Sequence, residues 1–359
     1  MRFGRTNVNK FLVGEQRRNP EIAGDFAMLI SDVVRSCKAI SQTVSLGKLI
    51  LRESDVTTVG RRYIGPQADL KDMANQIFLH HCEWGGHLAA ISSAEMDTLY
   101  TPPRSEGSGN YLLLFDALDG SSNIDINLPV GSVFSVLRCR RQDRPVSIDD
   151  FLQAGSTQVA AGYTLYGSST IMVLTVGNGT HGFTLDREIG EFLLTHPNLI
   201  IPAETQNFAI NASKERFWEP PIRRYVDECM AGLTGIRGKD FNMRWAATTV
   251  ADVHRILMRG GVFLHPLDSR DPEHPGRTDL LHKANPLAML IEQGGGMAST
   301  GYGRISDIVP IGLRQRTPVI LGSSAEIELI ERYHAEYLKG EDKPFSSPLF
   351  GTRTLFRPD

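Results

Sequence analysis

The segment Phe115-Asp-Ala-Leu-Asp-Gly-Ser-Ser-Asn-Ile-Asp125 is the most informative part of the sequence. It begins at the end of an apolar run, Tyr111–Phe115, which predicts a strand leading directly into Asp116 and Asp119. Two carboxylates at a strand end can bind one hard cation through their oxygens. The Gly-Ser-Ser that follows offers backbone N–H groups and hydroxyls suited to a phosphate. An ordinary polar turn is the alternative, although so dense a polar set after an apolar strand favours a functional site.

The elements around this segment indicate a mixed α/β fold built in layers. Apolar residues recur at three- and four-residue steps over 21–51 and 67–82, which predicts two helices before the segment. A boundary near residue 200 is expected, because Pro197 and Pro202 bracket a short apolar run. The other predicted elements are strands at Val133–Arg138, Gln158–Leu165, Thr170–Val176 and His181–Leu185, helices near 218–231 and 245–259, and strands near 261–265 and 317–321.

A second glycine-rich segment, Gly177-Asn-Gly-Thr-His-Gly182, matches the pattern GxGxxG of dinucleotide-binding proteins. The context argues against a nucleotide site. Asn178-Gly179 is typical of a tight hairpin turn, and the residues that follow continue as a strand, whereas the dinucleotide motif opens a helix. The sequence therefore predicts a β-hairpin.

Composition and charge exclude several classes of protein. The 359 residues are 41% hydrophobic and 22% charged, with a formal net charge of -3, so no bulk basic field would attract nucleic acid or a membrane surface. No apolar run approaches the ~20 residues of a membrane span. The four cysteines are isolated and predict buried reduced thiols and a cytoplasmic location. The histidines lack zinc-site spacing, and no GxSxG nucleophile motif occurs.

The segment 116–125, DALDGSSNID, resembles the DPLDGSSNID signature of class I fructose-1,6-bisphosphatases. Further segments similar to this family follow in the family's order from about residue 5 to 335. The resemblance implies a layered α-β-α-β-α sugar-phosphatase fold, usually a homotetramer, and Mg²⁺-dependent hydrolysis of the 1-phosphate of fructose 1,6-bisphosphate. It also implies an N-terminal domain over 1–200, a C-terminal sugar-phosphate domain over 201–335 and a tail over 336–359. These segments are Lys10 through Ile40, Val159–Leu185, Gly238–Trp245, Ala251–Arg255, Gly260–Leu264, Ala284–Pro286 and Pro318–Gly322.

The resemblance also implies roles for individual residues. Asp116, Asp119 and the Leu118 carbonyl match metal ligands, and Glu95 and Asp119 match catalytic acids. The residues that match substrate-binding positions are Asp119, Gly120, Ser121, Ser122, Asn211, Arg277 and, from the neighbouring subunit, Arg244.

Several of the family's acidic positions are substituted in this sequence. Ala94 stands where the family has a metal-bridging glutamate, and Lys283 stands at a second metal glutamate. Lys71 replaces an acid linked to water activation, although a one-residue slip would offer Asp72 in its place, and a further acid position falls on Gly65. We expect Lys283, with Lys71 as a second candidate, to form ion pairs with Asp116 or Asp119 in place of a metal shell. On the sugar side, Glu215 and His265 replace phosphate-contacting tyrosines.

These observations leave three functions open. The first is a working fructose-1,6-bisphosphatase that acts on a sugar bisphosphate with Mg²⁺. The second is a catalytically impaired paralogue that serves as a structural or regulatory subunit, with an active paralogue as its partner. The third is a phosphatase for another sugar phosphate, because inositol phosphatases share a similar turn. Ala94 and Lys283 discriminate best, since every mechanism that uses magnesium needs carboxylates there.

Overall fold

The structure, a computed structural model, describes residues 6–18, 22, 24–47, 66–103, 109–140, 144–271 and 276–342, with the backbone alone for 66–69. Its helices are α1 Val8–Gln16, α2 Asp25–Leu46, α3 Pro66–Cys82, α4 Pro220–Met230, α5 Thr249–Arg259, α6 Asn285–Gln293 and α7 Ser324–Leu338. Its strands are β1 Leu88–Ser93, β2 Tyr111–Asp119, β3 Val130–Arg138, β4 Ala160–Tyr166, β5 Thr170–Thr175, β6 Thr180–Asp186, β7 Glu191–Leu199, β8 Asn207–Ile210, β9 Asn242–Met243, β10 Val262–His265, β11 Thr278–Asp279, β12 Met297–Ser299, β13 Arg316–Thr317 and β14 Val319–Gly322.

The first sheet contains seven strands in chain order, from β1 to β7. β1 and β2 are parallel, and every later pair is antiparallel. Every residue of β2 is buried, including Asp116 and Asp119. A layer of helices covers one face of this strand, and Phe151, Leu281 and Leu313 pack against the other. The strand thus continues four residues beyond the apolar run at Tyr111–Phe115, and its ladder with β3 is irregular between the two aspartates.

Helices α1, α2 and α3 form the layer on one face of this sheet. The apolar stripe of α2 packs against residues that alternate along the strands, and Phe78 of α3 stacks on Phe115 of β2 with ring centroids 4.5 Å apart. Because side chains of a strand alternate between faces, the neighbouring residues of β3 and β4 point to the opposite side. There Val133 and Tyr163 pack against α5 and α6.

A second sheet lies beyond α5 and α6, with its five strands in the order β12-β14-β10-β8-β9. Phe263 of β10 faces α5 and α6, whereas its neighbours Val262 and Leu264 face α4 and α7 on the outside. The described residues therefore form five layers, three of helices and two of sheet. This confirms the α-β-α-β-α fold.

The hairpin interpretation of 177–182 is confirmed. β5 and β6 are antiparallel and joined by a turn in which Gly177 and Gly179 have φ angles of 87° and 79°. At Gly179 a Cβ would also lie 2.7 Å from the side-chain oxygen of Asn198. Both observations account for glycine at these positions without any nucleotide.

The cysteines are buried and free, as the sequence indicates. Burial raises the pKa of Cys37 to about 11 and those of Cys82 and Cys229 to about 12, so these thiols stay protonated at neutral pH. Within the described ranges, we find no helix with the length and apolar character of a membrane span.

Candidate functional site

Asp116 and Asp119 lie at the end of β2, where they are 2% and 5% exposed. One oxygen of Asp116 accepts a hydrogen bond from the backbone N–H of Leu118 at 3.1 Å. One oxygen of Asp119 accepts from the backbone N–H of Val250, in the first turn of α5, also at 3.1 Å. The positive end of this helix stabilises the carboxylate. The fold therefore holds two acids side by side in a place that contains little water.

The side chain of Lys283 lies between these two acids. Its Nζ is 2.8 Å from Oδ2 of Asp116 and 2.8 Å from Oδ1 of Asp119. Burial by itself lowers the pKa of Lys283, but the charges and hydrogen bonds of Asp119 and Asp116 outweigh it and raise the pKa well above its ordinary value. Lys283 is therefore an ammonium that neutralises much of the acid pair, which confirms the ion pair expected from the sequence.

The turn that carries Lys283 is fixed by a short polar network. Asp279 precedes this turn and accepts hydrogen bonds from both the backbone N–H and Nδ1 of His282, each at 2.9 Å. The other ring nitrogen of His282 lies 2.9 Å from the hydroxyl of Ser92 at the end of β1. Although burial raises the pKa of Asp279, the bonds from His282 and the charge of Lys283 lower it below its ordinary value. This network ties the Lys283 turn to the first sheet.

Lys71 does not join the pair formed by Lys283, contrary to the second part of that expectation. Its Nζ lies 2.6 Å from Oε1 of Glu95, the remaining acid of the Ser-Ala-Glu segment. The loop after β1 turns Glu95 toward α3, so Lys71 meets this acid first. Asp72 is exposed, which supports the alignment that places Lys71 at the family's acid position. Gly65 lies outside the described residues.

Arg314 is a third cation beside these acids, and sequence reasoning did not identify it. Its guanidinium donates to the carbonyl oxygen of Ala94 and, at 3.1 Å, to a carboxylate oxygen of Asp97. The side chain of Asp97 is 95% exposed. Arg314 thus contacts the residue at which the resemblance implies a metal-bridging glutamate. Its only signal in the sequence is the alternation Arg314-Gln-Arg316 before a strand, which many solvent-facing edges share.

The three cations, together with Glu95 and Asp116, line one cavity of about 430 Å³. This volume lies within the range of about 300–1,000 Å³ usual for small-ligand sites. His265 and Arg277, together with Thr249, also line a second cavity of about 160 Å³, so the two adjoin. The lining of the larger cavity consists of Lys71, Ala94, Glu95, Asp116, Thr249, His265, Arg277, Thr278, Asp279, Lys283, Arg314 and Arg316.

The smaller cavity contains most of the expected sugar-side residues. Asn211, His265 and Arg277 line it, and Arg277 is held 3.1 Å from Asp268. Burial and the nearby charges of Arg277 and Lys283 lower the pKa of His265 to about 4, so its ring is neutral at pH 7. Two tryptophans, at 218 and 245, complete an aromatic wall, in which the indole at 245 stacks on Phe263.

Two of the expected sugar-side residues lie elsewhere. Glu215 is exposed and does not line either cavity, and its neighbour Lys214 does, because one step along the short 3-10 helix 212–217 turns the side chain by about 120°. The ammonium of Lys214, and not the carboxylate of Glu215, therefore faces this cavity. Arg244 is exposed and outside both cavities of its own chain, an arrangement compatible with contact to another subunit.

The Gly120-Ser121-Ser122 turn lies next to the acid pair. Gly120 has a φ angle of 78°, and a Cβ there would come within 2.6 Å of the Thr248 side chain, so both backbone and space require glycine. Ser121 begins a 3-10 turn that runs to Asn123, whose first amides lack acceptors within the turn. The Asn123 amide donates to the hydroxyl of Thr248, which fastens the turn to the residue before α5.

The chemistry of the donor set does not fit the magnesium cluster that the resemblance implies. Three acids match the family's metal-binding or catalytic positions, Glu95, Asp116 and Asp119, and each has an ammonium within 2.8 Å. Mg²⁺ is bound through carboxylate oxygens and water in a near-octahedral arrangement, which a lysine held against those oxygens obstructs. Over the described part of the chain, no group of three His, Cys, Asp or Glu side chains is placed to hold a metal ion.

The sequence matches one family over nearly the whole chain. Residues 6–197 match the family description "Fructose-1-6-bisphosphatase, N-terminal domain", and residues 201–335 match its C-terminal domain. A relative from Hydrogenophilus thermoluteolus, named "Fructose-1,6-bisphosphatase class 1", is 52% identical over 98% of this chain and 97% of its own. A relative of the same name from Methylacidiphilum infernorum is 52% identical over 99% of both chains.

Solved structures agree with these sequence relatives. The holo form of Leishmania major fructose-1,6-bisphosphatase superimposes with a TM-score of 0.81 at 32% identity, covering 92% of this chain and 99% of that one. The apo form of the same protein gives a TM-score of 0.80 at 33% identity, with coverage of 92% and 100%.

Proposed function

Because this chain belongs to the fructose-1,6-bisphosphatase family, we propose that it binds a sugar bisphosphate across the two adjoining cavities and hydrolyses it only at a residual rate. The reaction is hydrolysis of the 1-phosphate of fructose 1,6-bisphosphate to fructose 6-phosphate and phosphate. The observation that supports a low rate of hydrolysis is the position of Lys283, whose Nζ lies 2.8 Å from both Asp116 and Asp119.

The substrate's reacting phosphate would lie at the Gly120-Ser121-Ser122 turn beside Asp119. The sugar and its second phosphate would extend into the smaller cavity, toward Asn211, Arg277 and the unexpected Lys214. Arg244 of a neighbouring subunit would complete this end. Two observations support this orientation. The smaller cavity has positive side chains, Lys214 and Arg277, and Arg277 lines both cavities.

Metal-dependent activation of water is the step that this chain's residues support least. A divalent ion, where bound, supplies a water of lowered pKa and a Lewis acid for the phosphate oxygens. An ammonium supplies neither of these functions. Glu95 and Asp119, the two acids proposed as catalytic, each accept a hydrogen bond from a lysine instead. The residues here therefore bind and orient the substrate better than they activate the water that attacks it.

The second candidate function is a non-catalytic subunit that assembles with an active paralogue. The same lysine favours it, because a buried ion pair preserves the fold around the acids where no metal is held. The two candidates differ in whether the isolated protein turns over at all.

The test is an assay of the isolated protein with fructose 1,6-bisphosphate and Mg²⁺, in which the products are identified. We expect slow release of phosphate with fructose 6-phosphate as the only sugar product. No release above the uncatalysed rate would favour the subunit role. Faster release from an inositol phosphate would assign the cleft to another sugar phosphate.

We also propose the domain division 1–200 and 201–335, followed by a tail from 336, and a cytoplasmic location. The division is supported by the two sheets, which lie on either side of residue 200, since β7 ends at Leu199 and β8 begins at Asn207. Helix α7 extends past the proposed boundary, to Leu338. The location rests on the four free cysteines, which fit a reducing compartment.

We expect the protein to form a homotetramer with 222 symmetry, with the basic Arg17-Arg18 segment and α2 at subunit contacts. The solvent-facing side of α2 supports this, because it carries the apolar side chain of Met28, which is 57% exposed. Light scattering at micromolar concentration checks the mass. A stable monomer would contradict both the assembly and the supply of Arg244 from a neighbouring subunit.

A further inference from the structure

We infer that the larger cavity binds phosphate without a divalent cation, with the fixed cations Lys71, Lys283 and Arg314 in the place of metal ions. The ligand class is a phosphorylated sugar, with fructose 1,6-bisphosphate as the first member to test. This inference rests on the proposed function, which it deepens: it concerns how the cleft holds its ligand, whether or not the ligand is hydrolysed.

The charges that face the cavity favour an anion. Five cationic side chains line it, against three acids, Glu95, Asp116 and Asp279. Three acids outside the lining also pair with these cations, Asp119 with Lys283, Asp97 with Arg314 and Asp268 with Arg277, so the excess of two positive charges belongs to the lining itself. Each of these acids already has a cation or the ring of His282 within hydrogen-bonding distance, which limits its repulsion of a phosphate. The five cations are Lys71, Arg277, Lys283, Arg314 and Arg316.

The lysines keep hydrogen-bond donors for a ligand. An ammonium carries three N–H groups. The structure engages two of those of Lys283, with Asp116 and Asp119, and one of those of Lys71, with Glu95. Both side chains line the cavity, and Lys283 is 23% exposed and Lys71 30% exposed. Because the acids hold both ammonium groups in place, little conformational entropy is lost when they meet a phosphate.

Arg314 adds a planar donor set beside the loop that carries Glu95. Its guanidinium carries five N–H groups, and one of its two partners is the almost fully exposed Asp97. An exposed pair of this kind contributes little energy, so a phosphate can compete for these donors. The Ala94 carbonyl keeps the guanidinium beside the cavity. Replacement of glutamate by alanine at 94 therefore removes an anion and leaves room for a cation.

These cations support phosphate binding that does not depend on a divalent metal and is therefore unaffected by a chelator. A metal-bridged phosphate leaves with its metal, whereas lysine and arginine side chains remain in place in EDTA. Hydrogen bonds from cations to phosphate oxygens are the strong, charge-assisted kind. The cleft can therefore retain a ligand that it does not cleave.

Isothermal titration calorimetry with fructose 1,6-bisphosphate, in EDTA and in excess Mg²⁺, tests the inference. We expect similar affinity in both buffers. We also expect Arg314→Ala to weaken binding at least ~10-fold in EDTA, the size of one lost hydrogen bond to a charged group. Arg304→Ala is the matched control, since Arg304 is also an exposed arginine in an ion pair, with Glu292 at 2.7 Å, and lies outside both cavities.

Three outcomes would overturn the inference, and they are distinguishable. Binding in Mg²⁺ but not in EDTA would show that the ligand is held through metal, and the proposed substrate would stand. Binding in neither buffer would reject the sugar bisphosphate itself, and with it the proposed function. Equal affinity for Arg314→Ala and the unmodified protein would remove Arg314 from the site. Circular dichroism of each variant establishes that the fold is intact.

Discussion

The unmodified protein is expected to release phosphate from fructose 1,6-bisphosphate at least ~10³-fold more slowly than a relative with the full acid set, because each lost electrostatic contact to a developing charge costs ~10²–10³ in rate. Two such contacts are changed in this chain, at Ala94 and at Lys283. The measurement is initial phosphate release in saturating Mg²⁺, beside a fructose-1,6-bisphosphatase whose sequence retains glutamates at both positions.

Restoring both acids is expected to recover magnesium binding, whereas neither single change should suffice. Ala94→Glu alone leaves the Lys283 ammonium between Asp116 and Asp119, and Lys283→Glu alone leaves the bridging position without an oxygen ligand. The two residues act as one unit, so the gain of the double variant should exceed the sum of the single gains. Calorimetric titration with Mg²⁺ measures binding, and the phosphate assay measures any turnover.

The structure adds a condition to this restoration. Lys71 still holds Glu95 at 2.6 Å in the double variant, so we expect substantial turnover only after Lys71→Asp is added. Lys38→Glu is the control, because it makes the same change of charge at a pair with Glu191, far from the cleft. Robust Mg²⁺-dependent release by the unmodified protein, abolished by Asp119→Ala, would show that Glu95 and the remaining acids suffice.

The helices and strands that the sequence predicted most clearly are those in which apolar residues recur at regular spacing or in a continuous run. The stripe of α2 and the apolar core of β2 were predictable because both are buried on one or both faces. β1 was not predicted, although it is fully buried, because Leu88-Ala-Ala-Ile-Ser-Ser93 carries small and polar residues that lack the usual strand signal. β7 contains Pro197, which resembles a breaker but is tolerated because β7 is an edge strand.

The sequence predicted contacts within the site only where the family resemblance implies which positions come together in the fold. Lys283 follows β11 on a turn that must approach the end of β2, so its acid partners could be named in advance. The partner of Lys71 depends on the path of the loop after β1, and the choice between Lys214 and Glu215 depends on the rotation of a short helix. Arg314 belongs to no motif, and its contact with Ala94 joins segments 220 residues apart. Such contacts follow from tertiary packing and not from local pattern.

Replacing Lys283 by methionine is expected to lower the free energy of unfolding by about 3 kcal/mol at neutral pH, the cost of leaving buried charges without their partner. Asp116 and Asp119 would then face each other, and the N–H groups of Leu118 and Val250 would still donate to them. Chemical denaturation at several pH values near neutrality measures the loss.

The matched control is Lys38→Met, which removes an equally long side chain from a half-exposed pair with Glu191 at 3.2 Å. Such pairs contribute within about 1 kcal/mol, so this variant should unfold close to the unmodified protein. Mg²⁺ provides a second comparison: it should stabilise Lys283→Met, whose freed acids can accept a cation, and leave Lys38→Met unchanged. If both variants unfold alike at every pH, the acids at the end of β2 do not need Lys283 for charge balance, and the interpretation of this lysine as a fixed counter-ion fails.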